Sequence, residues 1–245
     1  MDLEAMSKEY LIKKLNLNEK EVISFVGGGG KTTVIEMLAV ELKNEGRTVL
    51  STTSTAIFKP KKGYDAIFIG DMPYGYIPRK NSITVYGEYE TDGKLKVSNI
   101  SKIDDLINMD IFDYILIEAD GSRGKPIKAP LSHEPVVSNL TTITVGMIGI
   151  DCLGQRICDI AHRQEIMADV LKTSIYHIIE YNDIVKLSIH KDGVFKGAKG
   201  RKILFLNKVD DSKLGVVEKI ELELKDTAIE VVIGKSFLMN LPLKP

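Results

Sequence analysis

Four glycines, a lysine and two threonines occupy residues 27–33, in the order Gly27-Gly28-Gly29-Gly30-Lys31-Thr32-Thr33. Residues 21–26 before them have the apolar character of a short strand, and residues 31–45 carry apolar side chains at the spacing of a helix. Consecutive glycines let backbone N–H groups converge on phosphate oxygens, and the first turn of a helix adds the positive end of its dipole. The stretch therefore predicts a phosphate-binding loop between a strand and a helix.

Each residue of this loop has an expected role if the phosphate belongs to a nucleoside triphosphate, ATP or GTP. Lys31 would reach the β- and γ-phosphates, and Thr32 would offer its hydroxyl to Mg²⁺. The remaining nucleotide-binding residues would be Gly27, Gly28, Gly29, Gly30 and Thr33.

The loop departs from the GxxxxGK[ST] pattern, because the first glycine of that pattern would fall at Phe25. It looks more like the GGxGKT loop of dimeric P-loop ATPases. Val26 stands where those proteins have an extra lysine, so lysine action across a dimer is not expected. The alternative interpretation is that the glycines form only a tight turn.

Strands and helices alternate along most of the chain. Residues 47–52 predict a second strand after the first helix, with Gly46 as the helix cap, and this βαβ order requires parallel strands. Further strands are predicted at 114–117, 141–148, 202–206 and 228–233, and further helices at 5–15, 163–171, 180–189 and 211–224. The predicted fold is α/β, a P-loop NTPase-like three-layer α/β/α arrangement with a mainly parallel sheet, in a single domain over residues 1–245.

Residues from about 60 to 100 interrupt this alternation. Pro, Gly and Tyr are scattered among short strands there, and apolar stretches at 83–86 and 95–97 flank Asp92-Gly93, a dipeptide typical of hairpin turns. We therefore expect a small β-rich insertion in the domain, with a hairpin at this position.

Two acidic residues, Glu118 and Asp120, follow the apolar run at 114–117. Side chains two apart on a strand share a face, so both carboxylates are expected to look toward one Mg²⁺ while Ala119 faces away. Thr32, Glu118 and Asp120 are the candidate metal ligands. Asp120-Gly121 also resembles the start of the DxxG switch of GTPases, whose glycine N–H senses the γ-phosphate. The alternative is a solvated strand end followed by a turn.

A second nucleotide motif stands late in the chain. Asn207-Lys208-Val209-Asp210 follows an apolar strand and matches NKxD, in which the aspartate receives the two N–H donors of guanine. Four residues of such common type also recur by chance, so the choice between guanine and adenine stays open.

Residues 122–134 place cationic side chains just beyond the predicted metal ligands. Lys128 lies between Pro126 and Pro130, whose fixed φ angles favour a rigid loop that aims one ammonium at a small anionic second substrate. His133 could accept a proton near neutral pH, and Arg163 could contact a transferring phosphate. Structural roles remain the alternative for these side chains. The candidate catalytic residues are Lys31, Asp120, Lys128, His133 and Arg163.

The composition limits partners and location. The chain has 33 Lys and Arg against 34 Asp and Glu, a net charge of −1, which supplies no basic field for nucleic acid. No apolar run approaches the ~18 to 20 residues of a membrane-spanning helix, and Asp2 and Glu4 stand where a signal peptide has positive charge. We expect a cytoplasmic protein with no nucleic-acid or membrane partner. Cys152 and Cys158 are expected to be buried thiols.

Residues 118–130, Glu-Ala-Asp-Gly-Ser-Arg-Gly-Lys-Pro-Ile-Lys-Ala-Pro, followed by His133-Glu134-Pro135, are too long and particular for a generic nucleotide motif. Together with the glycine loop and the Ser/Thr run at 51–55, they resemble the selenium-dependent hydroxylase accessory protein family called YqeC. The likeness runs from the loop to about Arg163 and extends to Asn207-Lys-Val-Asp210.

This resemblance implies a P-loop protein that takes part in the maturation of selenium-dependent molybdenum hydroxylases. It implies nucleotide binding by Gly28, Gly30, Lys31 and Thr32, with Glu118 and Asp120 as the acidic pair. The partners it implies are a molybdenum hydroxylase client or other maturation factors.

Three hypotheses on function remain open. The first is a Mg²⁺-dependent NTPase that acts as an accessory factor. The second is a phosphotransferase or nucleotidyltransferase that acts on a small anionic selenium or molybdopterin-type substrate. The third is a binding module that nucleotide switches without hydrolysis.

Overall fold

A computed structural model describes residues 10–235 of the chain, and residues 1–9 and 236–245 lie outside the described part. The helices are α1 (Tyr10–Lys14), α2 (Lys31–Asn44), α3 (Ile100–Asn108), α4 (Ile157–Ile160), α5 (Gln164–Leu171), α6 (Tyr181–Ile189) and α7 (Leu214–Leu224). The strands are β1 (Glu21–Gly27), β2 (Thr48–Thr53), β3 (Ala56–Phe58), β4 (Ala66–Ile69), β5 (Ser82–Gly87), β6 (Tyr89–Thr91), β7 (Lys94–Lys96), β8 (Tyr114–Glu118), β9 (Ile127–Lys128), β10 (Ile143–Gly149), β11 (Ala161–His162), β12 (Arg201–Val209) and β13 (Ile229–Lys235).

Eight strands form one sheet in the order β13-β12-β10-β1-β8-β2-β5-β4. Every pairing in this sheet is parallel. Helices pack on both faces, α1 and α2 on one, α3 and α5 to α7 on the other. The three-layer α/β/α arrangement with a mainly parallel sheet is therefore confirmed. Two small sheets, β11-β9 and β3-β7-β6, accompany it.

Alternate side chains of the central strands supply the cores on the two faces. On β8, Tyr114 and Leu116 pack toward α1 and α2, whereas Ile115 and Ile117 pack toward α3. Strand β12 alternates in the same way. Burial on both faces explains why these strands are continuous apolar runs rather than alternating apolar and polar residues.

Most predicted elements lie within a few residues of the observed ones. The predicted helix at 211–224 begins with a short 3₁₀ turn at Asp211–Lys213 before α7. Of the predicted helix at 5–15, the described part is α1, and residues 5–9 lie outside the described residues. Sequence reasoning did not predict α3, whose first turn is capped by the Asn99 side chain, which accepts a hydrogen bond from the Ser101 N–H.

The hairpin was predicted with the wrong first strand. Asp92 and Gly93 do form the turn, both with positive φ, but it joins β6 to β7. Residues 83–86 belong to β5, which is buried along its whole length and pairs in parallel with β2 and β4. The four residues Ile83-Thr-Val-Tyr86 indicate a strand, but so short a pattern does not tell which other strand it pairs with.

Two further expectations concern thiols and membranes. Cys152 is buried, as predicted, and burial raises the pKa of its thiol. Cys158, also predicted to be buried, is partly exposed, and both thiols are free.

Among residues 10–235, no helix combines the length and the apolar character that crossing a bilayer requires.

Truncation of Leu116 tests the core around β8. Leu116 is fully buried, so Leu116→Ala is expected to lower the free energy of unfolding by about 2–5 kcal/mol, through lost burial and the cavity left behind. The matched control is Leu222→Ala on α7, where the leucine is 62% exposed and the expected change is within about 0.5 kcal/mol. Urea denaturation measures both, and equal losses would contradict this assignment of the core.

Candidate functional site

The candidate site lies at the carboxyl edge of the parallel sheet, where residues 28–30 join β1 to α2. Strand β8 lies directly beside β1, with Glu118 in register with Phe25. The strand end that carries the predicted acids therefore reaches the glycine loop. In parallel α/β sheets, ligands bind beyond this edge.

Backbone contacts to two neighbouring segments hold the loop in shape. The Gly28 N–H donates to the Met147 carbonyl at 2.9 Å, and the Gly29 N–H donates to the Lys125 carbonyl at 3.0 Å. Gly29 has a φ of 83°, and a Cβ there would lie 2.2 Å from the backbone nitrogen of Gly149. Since any larger residue would clash in this conformation, glycine is required at position 29 by close backbone approach.

The amides at the start of α2 have no protein acceptor. Within residues 10–235, no hydrogen bond is donated by the backbone N–H groups of Gly30, Lys31, Thr32 and Thr33. The first N–H groups of a helix lack partners inside it and carry the positive end of its dipole. This edge of the loop is therefore suited to phosphate oxygens.

Two lysines share the carboxylate of Asp120. The Nζ of Lys31 lies 3.1 Å from Oδ1, and the Nζ of Lys128 lies 3.0 Å from Oδ2. The Gly27 N–H donates to both oxygens at 3.1 Å, and Lys31 donates in turn to the Gly27 carbonyl at 2.5 Å. All three charged side chains are buried, so each charge has a compensating partner close by.

Lys128 connects Asp120 to a second carboxylate. Its Nζ lies 2.8 Å from Oε2 of Glu134, as an ion pair that is not aligned as a hydrogen bond, and it donates to the Gly121 carbonyl at 2.8 Å. Arg163 donates to Oε1 of Glu134 at 2.8 Å. Burial alone would raise the pKa of Glu134, but Lys128 and Arg163 hold this pKa below its ordinary value. Lys128, predicted to face an anionic second substrate, and Arg163, predicted to contact a transferring phosphate, are both engaged with Glu134 in this structure.

Thr32 and Glu118 form the other half of the site. The Thr32 hydroxyl donates to Oε2 of Glu118 at 2.8 Å, and burial raises the pKa of Glu118. Among residues 10–235, no three His, Cys, Asp or Glu side chains are grouped so as to hold a metal ion. Mg²⁺ commonly needs only one or two carboxylates beside phosphate oxygens and water. The adjacent Thr32 hydroxyl and Glu118 carboxylate fit this requirement. The Asp120 carboxylate instead contacts the ammonium groups of Lys31 and Lys128.

The residues of the NKVD motif, 207–210, lie in different environments. Asn207 is buried and its side-chain amide donates to the Gly29 carbonyl at 2.7 Å, so it supports the glycine loop. Lys208 pairs with Asp151 at 2.7 Å. Asp210 is exposed and accepts a hydrogen bond from the Ser212 N–H at 2.9 Å.

The two histidines near the site differ in environment. His133 is exposed in a turn and forms no hydrogen bond or ion pair with the described residues. His162, to which sequence reasoning assigned no role, lies opposite Lys128 in the β9·β11 pair. Burial, together with the positive charges of Arg163 and Lys128, lowers the pKa of His162 to about 4.

Sequence reasoning also missed a cavity of about 750 Å³ that opens beside Thr32 and Glu118. It is lined on one side by α2 and on the other by β3, β5 and the segment 60–64. These segments carry no common motif, so only the packing of the chain reveals that they enclose a space.

Comparisons with known proteins show which family the chain resembles. Residues 23–165 match the family model described as YqeC protein. The chain is 32% identical over 203 residues to the protein of Escherichia coli (strain K12) described as uncharacterized protein YqeC, covering 80% of this chain and 79% of that relative. No solved structure gives a significant match.

The environment of His162 predicts a pH dependence of stability. The unfolded state binds a proton near pH 6.5, and the folded state does so only near pH 4, so stability is expected to fall as the pH decreases through this window. His162→Gln removes this titration and should show a smaller loss of stability than the wild type between pH 6.5 and 4.5. Urea denaturation at several pH values measures the difference, and parallel curves would refute the assignment.

Proposed function

The chain belongs to the YqeC protein family, and from this premise we propose that it binds a nucleoside triphosphate with Mg²⁺ and hydrolyses it. One observation carries the proposal. The glycine loop presents unpaired amides at the start of α2, with Lys31 and the Thr32–Glu118 pair beside them. A backbone anion site, an ammonium and a pair of oxygen ligands are the parts that a bound MgATP or MgGTP requires.

The ion pairs around Asp120 are compatible with phosphate binding. Lys31 lies between the Gly27 carbonyl and Asp120 and would exchange these partners for phosphate oxygens. Asp120 would not be left uncompensated, because Lys128 and the Gly27 N–H still contact its carboxylate. The exchange therefore replaces one anion beside Lys31 with another, and no buried charge loses all its partners.

Within this proposal, Mg²⁺ would be held by Thr32 and Glu118 and would neutralise charge on the β- and γ-phosphates. Asp120 positions Lys31, and Asn207 holds the loop through the Gly29 carbonyl. His133, in its exposed turn, is free to approach a ligand at the edge of the site.

The proposed role of hydrolysis rests on the pathway that the family resemblance stated above implies. We infer that nucleotide hydrolysis controls a delivery or insertion step in the maturation of a selenium-dependent molybdenum hydroxylase. A second candidate, transfer of a phosphoryl or nucleotidyl group to a small acceptor, is favoured by the cavity beside Thr32 and Glu118. Product analysis separates the two, because hydrolysis alone releases free phosphate whatever acceptor is offered.

Thermal shift with ATP and GTP, with and without Mg²⁺, tests the proposed nucleotide site. Ligand at about 100 times its Kd should stabilise the wild type by about 2.7 kcal/mol. Lys31→Met, which leaves Asp120 paired with Lys128, is expected to lose most of this stabilisation, because it removes the ammonium that contacts phosphate. The stabilisation of Thr32→Val by nucleotide should no longer depend on Mg²⁺. That of the control Thr32→Ser, which keeps the hydroxyl, should still depend on it.

A wild type that neither nucleotide stabilises in the presence of Mg²⁺ would contradict the proposal. Tight nucleotide binding without turnover would instead support the third hypothesis, a switch that does not hydrolyse its ligand. Brisk hydrolysis that no added partner protein changes would count against that switch.

Asp210→Ala tests recognition of guanine. A carboxylate that receives two N–H groups contributes roughly 1.5–3 kcal/mol, so loss of Asp210 should weaken GTP binding by about tenfold or more and leave ATP binding unchanged. Asp211→Ala, which removes the neighbouring exposed carboxylate, is the matched control. Competition titrations measure the two affinities. Equal affinities of the wild type for ATP and GTP would show that the NKVD match has no role in base selection.

A further inference from the structure

The cavity beside the glycine loop has the size of a small-molecule site. Its volume of about 750 Å³ falls within the roughly 300–1,000 Å³ of typical ligand pockets. Its walls are mainly apolar, with Ile35 and Val40 from α2 facing Ile83 and Val85 from β5. The apolar walls suit a ligand with a flat or ring-containing body.

Polar side chains line the cavity at several places, among them Glu36 and Asn44 on α2 and Ser51 and Thr52 on β2. Thr32 and Glu118 line it where it meets the glycine loop. Lys61 and Lys62, both exposed, line it from the segment that follows β3. The two ammonium groups have no ion-pair partner among the described residues, so they are available to an anionic group of a ligand.

Phe58 marks the same edge of the cavity. This aromatic side chain is 73% exposed, although it belongs to a short strand beside an apolar space. An exposed aromatic ring at the mouth of a cavity offers a surface that a ring-containing ligand would cover.

The cavity lies far from the place where a base bound by the NKVD motif, residues 207–210, would lie. Strand β12, which carries Asn207, and strand β2, which lines the cavity through Ser51 and Thr52, are four strand spacings apart in the sheet. At roughly 4.8 Å each, these spacings amount to about 19 Å. A nucleotide that spans the loop toward Asn207 would leave the cavity open for another molecule.

We propose that this cavity binds a second small molecule, with a ring-containing apolar body among α2, β3 and β5 and an anionic group at Lys61 and Lys62. Its far end then lies beside Thr32 and Glu118, next to the proposed triphosphate. The description of this molecule as a second substrate rests on the proposed function, whereas its binding in the cavity does not.

Fluorescence titration of the full chain with anilinonaphthalene sulfonate tests the site, since this dye joins aromatic rings to one anionic group. We expect saturable binding to the folded wild type. Val40→Phe, which fills the space from α2, and the double variant K61E/K62E, which reverses the charge at the mouth, should each weaken dye binding by about tenfold, or about 1.4 kcal/mol. Circular dichroism checks that each variant is folded.

Matched controls make the result specific. Val216→Phe on α7 and the double variant K191E/K225E make the same changes away from the cavity and should leave the affinity for the dye within about twofold. Phenylnaphthylamine, which has the rings but no sulfonate, should respond to Val40→Phe and not to K61E/K62E.

Each outcome decides a separate point. Dye binding that all variants retain, or no saturable binding to the wild type, overturns the proposed site. Dye that saturating MgATP or MgGTP displaces also overturns it, because the cavity would then hold part of the nucleotide. Dye binding that follows the expected pattern in a protein that binds no nucleotide supports the cavity site and refutes the proposed function alone.

Discussion

The buried carboxylate of Asp120 is the point on which the site depends. It receives the Gly27 N–H and contacts two ammonium groups, those of Lys31 and Lys128, and these four groups belong to three different segments of the chain. Buried charges are costly unless each has a partner, and in this cluster every charged side chain contacts at least one opposite charge. The cluster therefore fixes the glycine loop relative to the end of β8 and to the segment that carries Lys128.

This arrangement gives several structural roles to one continuous stretch, residues 118–135, which lies within the part of the chain that matches the family. The carboxylates of Glu118 and Asp120 face the glycine loop, and the Lys125 carbonyl accepts a hydrogen bond from the Gly29 N–H. Glu134 contacts both Lys128 and Arg163. Lys128 and Arg163 thus act on other protein side chains in this structure. The unpaired amides at the start of α2 and the cavity beside Thr32 are the parts that remain open to ligands.

Features that depend on short stretches of sequence could be predicted, whereas contacts between distant segments could not. The βαβ order, the parallel sheet and the meeting of the glycine loop with Glu118 and Asp120 could be predicted, because strand ends in a parallel sheet meet at one edge. The place of residues 83–86 could not, because apolar residues do not tell which neighbour a strand pairs with. The partners of Asp120 also could not be predicted, since alternation along a strand gives a direction for a side chain and not the charges that meet it.

By itself the sequence determined the class of fold, the position of the loop and the acids next to it, because each rests on local spacing and on a few residues adjacent in the chain. Only the tertiary structure decided that Asp120 faces two lysines while Glu118 faces Thr32, that Asn207 supports the loop, and that a cavity lies along α2. These features join segments up to 178 residues apart, and such contacts are set by how layers pack and not by any local pattern.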